Sequence, residues 1–375
     1  MRITLISDTY LPEVNGVTTV LATMRQGLLE RGHAVQVIAP GYDTPGPDET
    51  GVVRRWSVRF PPYPAIRLSL PVGPGVGRAL DAFQPDLVHV ATEGPLGTLG
   101  RREALARKLP LVTSFHTDFP RYAARYFGDW AVRPVTNYLR RFHAPAFATQ
   151  TPSQTTRDEL AALGFAKPVV WGRGVDTHHF RVERRDEGRR AALGASNARP
   201  FILHVSRLAQ EKDVTTLVAA FKLAHAELGD GARFVVAGDG PEGAMVREAL
   251  PFATHYGFID RGRLADLYAD SDLFVFTSPT ETCGLVVLEA MASGLPVITS
   301  DQGGVLENVR DGLNGLMVPA GSAPAFAAAT VSLIRTPARR EAMASAARAF
   351  SVARDWAREL DALEPMYRDA IASVA

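Results

Sequence analysis

Cysteine and long apolar runs are scarce in this 375-residue sequence. Its one cysteine, Cys283, cannot form an internal disulfide, and cysteine-based metal sites need several ligands. No stretch approaches the roughly 18 consecutive apolar residues that a membrane-spanning helix requires. The apolar run at the N-terminus ends at Asp8 and is too short for the core of a signal peptide. We therefore expect a cytoplasmic protein without a cysteine-based metal centre.

An excess of charge of either sign is also lacking. The 41 Lys and Arg residues stand against 40 Asp and Glu residues, and the formal net charge of +1 argues against a dedicated nucleic-acid binder. The first half of the chain is nevertheless mildly basic and the second half mildly acidic, so the first half could meet an anionic surface. A chain of this length exceeds a single hydrophobic core, and two domains are expected.

Short apolar strands alternate with amphipathic helices along the chain. Residues 3–6 predict a strand, apolar residues at helical spacing follow, and residues 35–39 predict the next strand. Such alternation predicts a parallel sheet covered by helices on both faces. The charged segment 181–199 interrupts the pattern and is interpreted as an interdomain linker. A second alternation begins at Phe201, and the sequence after Ala323 is helical throughout.

The predicted fold class is α/β, with two facing Rossmann-like domains. We place the first domain at residues 1–185 and the second at residues 186–350. Residues 351–375 are expected to form a C-terminal helix that returns to the first domain. Open parallel sheets bind ligands at the carboxyl ends of their strands, so we expect the active site in the cleft between the domains.

The strongest functional signal is a pair of glutamates eight positions apart, Glu281 and Glu289. Glu281 follows a predicted strand, and Gly284 and Leu285 then begin a helix whose first backbone N–H groups can bind a diphosphate. This helix is strongly apolar and hence predicted to be buried, where a carboxylate needs a partner. One carboxylate can contact a sugar ring and the other ribose hydroxyls. The alternative interpretation is two surface glutamates on an amphipathic helix.

Two cations five positions apart follow the predicted strand 201–205. The guanidinium of Arg207 can hold phosphate oxygens in its fork, and the ammonium of Lys212 can act as a point charge. Both would stabilise the charge that develops on a leaving nucleoside diphosphate. The alternative is a charged turn in contact with solvent.

Weaker motifs follow three other predicted strands. Gly238 and Gly240 can let the backbone approach a ligand closely, although a G-x-G is more often a plain turn. His116, which follows strand 111–114, could hydrogen-bond a sugar near the reaction centre or be a structural histidine. Gly16 lies in the first strand-to-helix turn, where the backbone could come close to a transferred group or a leaving phosphate. That turn lacks the spaced glycines of a dinucleotide fingerprint, which argues against NAD or FAD.

Taken together, these motifs resemble the retaining glycosyltransferases of family 4, which have the GT-B fold. The resemblance rests on Arg207 with Lys212, on the E-x7-E of Glu281 and Glu289, and on Gly303-Gly304, and it covers residues 1 to about 320. Three further motifs are similar to the GDP-mannose-dependent α-mannosyltransferases that act on glycolipids: Asn15-Gly16-Val17, Phe115-His116-Thr117-Asp118-Phe119-Pro120 and Arg173-Gly174-Val175-Asp176. Sulfoquinovosyl- and glucosyl-diacylglycerol synthases are similar relatives.

The resemblance implies a role for each motif. It assigns the diphosphate to Arg207 and Lys212, the donor hexose to Glu281 with the backbone at Cys283, Gly284 and Leu285, the ribose to Glu289, closure over the donor phosphate to Gly16, and the reaction centre to His116. Transfer would retain the α configuration, with a nucleotide sugar as substrate and no metal or other cofactor. Asp118 and Asp176 are weaker candidates.

Departures from the family pattern leave the choice of sugar open. Asn15 stands where many relatives have glycine, Cys283 where an aromatic residue is common, and Val305 where a proline is frequent. We expect GDP-mannose as donor and a lipid or glycolipid as acceptor, with UDP-glucose and diacylglycerol as the alternative. A metal-free sugar-nucleotide epimerase and a nucleotide-sugar-binding protein without turnover are alternatives of another class.

Basic residues interleaved with aromatic ones occur in segments 54–70 and 121–143. This pattern suits an anionic lipid interface, and it also suits core-facing helices with solvated arginines. We expect peripheral association with the inner face of the membrane. The residues concerned are Arg54, Arg55, Trp56, Arg59, Phe60, Tyr63, Ile66, Arg67, Leu68, Arg121, Tyr122, Arg125, Tyr126, Phe127, Trp130, Arg133, Tyr138, Arg140, Arg141 and Phe142.

Overall fold

The computed structural model describes residues 1–60, 63–69 and 75–374. In this part of the chain the strands are β1 (Arg2–Ile6), β2 (Ala34–Pro40), β3 (Val52–Arg55), β4 (Ser57–Phe60), β5 (Tyr63–Ser69), β6 (Leu87–Val90), β7 (Leu111–Ser114), β8 (Ala148–Thr151), β9 (Pro168–Val170), β10 (Phe201–Val205), β11 (Arg233–Ala237), β12 (Thr254–Gly257), β13 (Leu273–Phe276), β14 (Val297–Ser300) and β15 (Gly315–Val318). The α-helices are α1 (Gly16–Glu30), α2 (Gly75–Phe83), α3 (Pro95–Ala106), α4 (Phe119–Phe127), α5 (Val132–His143), α6 (Gln154–Ala162), α7 (Glu187–Ala192), α8 (Val214–Leu228), α9 (Gly243–Ala249), α10 (Arg261–Asp270), α11 (Leu285–Ala292), α12 (Ala323–Arg335), α13 (Pro337–Val352) and α14 (Trp356–Ala372).

Two compact units divide the chain. The first unit comprises Met1–Arg173 and Trp356–Ala375, and the second comprises Gly174–Asp355. These junctions differ from the sequence-based bounds at 185 and 350. Residues 174–185 and the end of α13 belong to the second unit in the structure.

The first unit is built on a seven-stranded parallel sheet in the order β3-β2-β1-β6-β7-β8-β9. β1 pairs with both β2 and β6, so the chain moves outward from β1 in one direction and then in the other. β4 and β5 form a separate antiparallel hairpin. The order places the carboxyl ends of all seven strands at one edge of the sheet, where the loops that carry Gly16 and His116 begin.

The second unit has a six-stranded parallel sheet in the order β12-β11-β10-β13-β14-β15. Its central strands read as continuous apolar runs because helices cover both faces: every residue of β10, β13 and β14 is buried. The order reverses between β10 and β13. That reversal is the position at which open α/β sheets bind ligands, and both strands lead into predicted site loops.

The charged segment 181–199, interpreted as a linker from the sequence, instead folds onto the second unit. It contains a short 3₁₀ turn at Val182–Arg184 and helix α7. Arg189 contacts Asp270 at 2.7 Å, and the fully buried Arg190 contacts Asp272 at 3.0 Å. The linker interpretation was wrong because the arginines pair with Asp270, which is buried, and with Asp272, and the composition of the segment alone does not reveal these partners.

The last helix, α14, packs in the first unit, as predicted. Its Leu360 lies against Gly27 of α1, where a Cβ would be only 2.2 Å from the leucine Cδ1. The hydroxyl of Tyr367 lies 2.6 Å from Nδ1 of His89 in β6. The indole of Trp171 donates to the carbonyl of Glu359 at 2.7 Å. α14 therefore fixes the central strands of the first sheet.

Among the described residues, none of the helices is long and apolar enough to cross a membrane. The longest, α14, has charged residues along its length and buries only one face.

Candidate active site

Lys212 and Glu281 meet at the carboxyl edge of the second sheet. Lys212 ends the short 3₁₀ turn after β10, and Glu281 follows β13, the neighbouring strand across the reversal point. The Lys212 ammonium donates directly to Oε1 of Glu281, and both side chains are largely but not fully buried. An ammonium has three donors, so Lys212 can hold Glu281 and a phosphate oxygen together.

Arg207 lies on the same loop, beside Glu211. Its Nη2 donates to Oε1 of Glu211, a carboxylate that is completely buried. The Arg207 side chain is 38% exposed, so an anion can reach it from solvent. Sequence analysis missed Glu211, although its position four residues after Arg207 is the spacing at which helical or 3₁₀ side chains meet. Glu211 orients the cation that would bind the diphosphate.

Backbone contacts lock the two loops together. The hydroxyl of Thr280 donates to the carbonyl of Glu211 at 2.9 Å, and that of Thr277 to the carbonyl of Lys212 at 3.2 Å. Asp213 completes the turn with a left-handed backbone at φ +53°. The cations and Glu281 are therefore positioned by hydrogen bonds as well as by their own ion pair.

Gly303 and Gly304 pack against the backbone of Glu281 and Thr282, in the loop after β13. The amide of Gly304 donates to the carbonyl of Glu281 at 2.6 Å. A Cβ on Gly304 would lie 2.0 Å from the carbonyl oxygen of Thr282, and one on Gly303 would lie 2.7 Å from that of Glu281. Gly303 also has φ +80°. Glycine is required at both positions because the two backbones touch.

The predicted helix start lies where the sequence placed it. Gly284 has φ +74° and precedes α11, which begins at Leu285. Cys283 is buried, and its carbonyl accepts from Nδ2 of the buried Asn308 at 2.6 Å. The amides of Val287 and Leu288 donate to the carbonyl of Gly284 at 3.0 and 3.3 Å, so the N–H groups that can bind an anion at this end of α11 are those of Leu285 and Val286.

Glu289 is separated from the Lys212–Glu281 pair in its contacts. It lies in the middle of α11, where the hydroxyl of Tyr268 donates to its Oε2 at 3.4 Å. Burial raises the pKa of Glu289 to about 7, and the nearby Arg261 acts in the opposite direction. Arg261 itself contacts Asp176 at 3.3 Å. The two glutamates of the E-x7-E motif thus have different surroundings, because Glu281 precedes the helix and does not share its face.

Gly238 and Gly240 pack against residues 206–208, the loop that carries Arg207. Their φ values are +120° and +158°. A Cβ on Gly238 would lie 1.8 Å from the carbonyl oxygen of Ser206, and one on Gly240 would lie 2.4 Å from that of Leu208. The amide of Leu208 also donates to the carbonyl of Asp239 at 2.9 Å. Close backbone packing within the protein therefore requires glycine at both positions, and the approach of this loop to a ligand remains a prediction.

His116 lies at the carboxyl edge of the first sheet, two residues after β7. Its Nδ1 is 3.3 Å from Nη2 of Arg173. Burial, with the adjacent Arg173 cation and His89, lowers the pKa of His116 well below its usual value. Asp118 caps α4 by accepting from the amide of Arg121 at 3.1 Å, which accounts for this carboxylate structurally.

Gly16 begins α1 at the same edge of the first sheet, and it is exposed. The preceding Asn15 caps the helix by accepting from the amide of Thr18 at 2.9 Å, and its Nδ2 donates to Thr9 at 2.8 Å. Asparagine at this position therefore has a structural function. The exposed amide end of α1 stays available to a ligand of this unit.

One short motif in the sequence is of the kind that binds a metal ion. Asp270-Ser271-Asp272 has the D-x-D spacing typical of metal-dependent transferases, but it precedes β13 and lies away from its carboxyl end. Both carboxylates are engaged by arginines of segment 185–190. Within the described ranges, no group of three or more His, Cys, Asp or Glu residues could hold a metal ion. The metal-free reaction remains a prediction.

Only part of the basic and aromatic residues predicted in segment 121–143 is exposed on the first unit, and Phe142 is buried. Phe127 and Trp130, at the turn between α4 and α5, are 67% and 74% exposed, and Arg125 and Arg133 beside them in the sequence are exposed as well. The hairpin is less cationic than its sequence suggests, because Arg59 and Arg67 both contact Asp43. The side chains of Phe60, Tyr63 and Ile66 lie outside the described residues.

Two α/β units of this strand order, with polar loops at the carboxyl edges of both sheets, define the GT-B class. Sucrose-phosphate synthase from Thermosynechococcus elongatus has this fold, with a TM-score of 0.79 and 21% identity over 99% of both chains.

Sequence comparison gives the family. Residues 14–179 match the Glycosyltransferase Family 4 domain, and residues 186–350 match Glycosyl transferases group 1. The chain is 35% identical to a GDP-mannose-dependent alpha-mannosyltransferase of Mycolicibacterium smegmatis, over 95% of this chain and 94% of the relative. It is 32% identical to an alpha-monoglucosyldiacylglycerol synthase of Streptococcus pneumoniae, over 80% of this chain and 70% of the relative. The chain belongs to glycosyltransferase family 4 and is a hexosyltransferase.

Proposed function

We propose that this enzyme transfers mannose from GDP-mannose to a lipid or glycolipid acceptor, with retention of the α configuration and without a metal. The observation that carries the proposal is the Lys212–Glu281 pair beside Arg207 and the start of α11. This cluster supplies two cations and free helix N–H groups for a diphosphate, and one carboxylate for sugar hydroxyls.

The same cluster suggests how the reaction proceeds. The bond between the anomeric carbon and the donor phosphate oxygen breaks, and negative charge develops on the leaving diphosphate. Arg207, Lys212 and the α11 N-terminus stabilise that charge in the way that a metal ion does in other transferases. The acceptor hydroxyl forms the new bond on the same face of the sugar and passes its proton to the leaving phosphate oxygen.

The choice of GDP-mannose follows from the mannosyltransferase relative, which is similar over almost the whole chain. The direct test is a thermal-shift comparison of GDP, UDP and ADP at equal concentration. A diphosphate at about a hundred times its Kd adds roughly 2.7 kcal/mol to the stability of the folded state. A selective shift with GDP, followed by transfer from GDP-mannose that survives EDTA, supports the proposal, and loss of transfer in EDTA contradicts its metal-free part.

UDP-glucose with diacylglycerol is the second candidate, because the glucosyldiacylglycerol synthase relative shares 32% identity. A selective shift with UDP, and transfer of glucose to diacylglycerol, would replace the mannose proposal. Both outcomes keep the diphosphate cluster. In either case, the anomeric configuration of the product, read by NMR, tests retention. The epimerase and binding-protein alternatives would give no transfer product, and membership of the family argues against both.

A lipid acceptor accords with the exposed aromatic and basic surface at the α4–α5 turn. We expect Phe127 and Trp130 to enter the interfacial region of an anionic membrane, with Arg125 and Arg133 near its phosphates. The double variant F127A/W130A should lose sedimentation with anionic vesicles at low salt. L223A, which truncates a 45% exposed leucine of the second unit, is the matched control. Equal sedimentation of both variants would contradict the membrane surface.

A further inference from the structure

Arg173 is a buried cation that no step described so far uses. It is 2% exposed, and its guanidinium lies over the ring of Trp171 at 4.5 Å. Nη1 donates to the carbonyls of Trp171 and Gly172 at 2.7 and 3.0 Å. Burying an arginine is costly unless its donors are satisfied, so the position is built around this side chain.

The remaining contact of interest joins Arg173 to His116, where Nη2 lies 3.3 Å from Nδ1. A guanidinium has five donors and no acceptor, and it does not deprotonate in proteins. For this contact to be a hydrogen bond, Nδ1 of His116 must be the acceptor. The proton of the neutral imidazole is then on Nε2.

We propose that Arg173 is a positioning residue that holds His116 as the neutral Nε2–H tautomer, so that His116 serves the transfer reaction as a hydrogen-bond donor and cannot act as its general base. A neutral imidazole with its proton on Nε2 has its lone pair on Nδ1, and Arg173 occupies that lone pair. The donated hydrogen bond goes to a hydroxyl of the sugar substrate. This inference rests on the proposed function for its substrate, but the tautomer itself does not depend on the donor.

The surroundings of His116 favour the same protonation state. Burial and the charge of Arg173 both lower its pKa, and His89 is the other titratable group that acts on it. The pKa of His89 is itself lowered to about 3 by burial, so His89 is neutral. The carboxylate of Glu359 lies against Gly172, next to Arg173 in the chain. A second proton on His116 would bring an N–H and a positive charge against the guanidinium.

The test is a long-range ¹H–¹⁵N correlation spectrum of the full chain labelled at its nine histidines. The His116 signals are assigned by their loss in H116Q. We expect the wild-type protein to show a single neutral tautomer, protonated on Nε2, between pH 6 and 8. A His116 protonated on Nδ1, or a charged His116 in this range, would overturn the proposal.

R173M, R173K and R340M then separate positioning from a purely structural role. R173M removes the donor to Nδ1, whereas R173K keeps a donor and a charge. Arg340 is a matched control, because it is also buried and donates to two carbonyls, those of Leu333 and Ile334.

We expect R173M to show mixed or charged His116 and a fall in kcat of at least about tenfold, with KM for the donor little changed. R173K should restore most of the Nε2–H tautomer of His116 and most of kcat, and R340M should change neither the tautomer nor kcat. An unchanged tautomer and kcat in R173M would refute the proposal. If R173M does not fold, the wild-type and R173K spectra still decide. A normal tautomer without any sugar transfer would instead count against the proposed function.

Discussion

The two units share the strand order of a doubly wound sheet but treat charge at the sheet edge in opposite ways. In the second unit the edge carries ions in pairs, Lys212 with Glu281 and Arg207 with Glu211. In the first unit the titratable groups at the edge are buried, and burial raises the pKa of Asp8 and of Glu93 and lowers that of His116. Asp8 accepts from the amides of Leu96 and Gly97, and Glu93 contacts His143 at 3.3 Å.

This difference indicates what each edge can bind. Paired ions that remain partly exposed can be reached by a diphosphate, and the several N–H donors of an ammonium and a guanidinium suit its oxygens. Buried groups that are held by neighbours, as His116 is by Arg173, present hydrogen bonds of fixed direction to an uncharged hydroxyl. The second unit is therefore suited to the charged end of a nucleotide sugar, and the first to the uncharged groups of a sugar or acceptor. The same topology supports both because the site residues lie on loops.

The largest effect should come from removing the charge at the second edge. K212M deletes a cation that would stabilise the leaving diphosphate, and we expect kcat to fall by roughly 10²- to 10³-fold, the cost of losing one preorganised donor to developing charge. Steady-state kinetics with the cognate nucleotide sugar measure the loss. E281Q should also lower kcat, because it removes the negative charge that pairs with Lys212 and would face the sugar hydroxyls.

R199M is the matched control for these variants. Arg199 forms an ion pair with Asp230 in the same unit, but Asp230 is 90% exposed, and such a surface pair contributes little. We expect wild-type kinetics from R199M. If K212M also retained wild-type kcat, the paired ions would be structural, and the contrast between the two edges would lose its functional meaning.

A smaller effect is expected from G304A, which tests whether backbone packing holds the ion pair in place. The new Cβ would lie 2.0 Å from the carbonyl oxygen of Thr282, so the Glu281 loop must move. We expect a loss of about 2–3 kcal/mol in unfolding free energy, typical of overpacking, together with weaker nucleotide binding. G231A is the control, because a Cβ there meets nothing within 4 Å. Equal stability of both variants would show that the loop is not held by this contact.

The sequence was sufficient for the α/β class, for strands such as 201–205 and 111–114, and for the start of α11 at Leu285, because buried strands and amphipathic helices have clear periodicity. It also led to Lys212 and Glu281, which lie 69 positions apart and meet at adjacent strand ends. The short strands β3, β12 and β15 were missed. They are edge strands, and each has only four residues, which is too few for a periodic pattern to stand out.

Three-dimensional partners were the part that no local pattern could reveal. The composition of the segment that contains Arg185 and Arg189 predicted a linker, but in the structure these arginines form ion pairs with Asp272 and Asp270. Gly238 and Gly240 suggested a ligand, but their backbone meets Ser206 and Leu208. In each case the partner lies at least thirty positions away in the sequence, so spacing alone carried no information about it.

Glu289 is the exception to the rule of paired ions in the second unit, and it gives the smallest predicted effect. Burial raises its pKa from 4.5 to about 7, so the folded protein binds this proton more tightly than the unfolded chain does. The resulting stability is fully present below pH 4.5 and is lost as the pH rises through 7. Its size is at most about 3 kcal/mol, and less because the side chain is partly exposed. We expect urea midpoints to fall between pH 5 and pH 8 in the wild-type protein and to fall less in E289Q, which cannot titrate. The difference between the two proteins cancels the other titrating groups, so parallel slopes would mean that Glu289 stays ionised throughout this pH range.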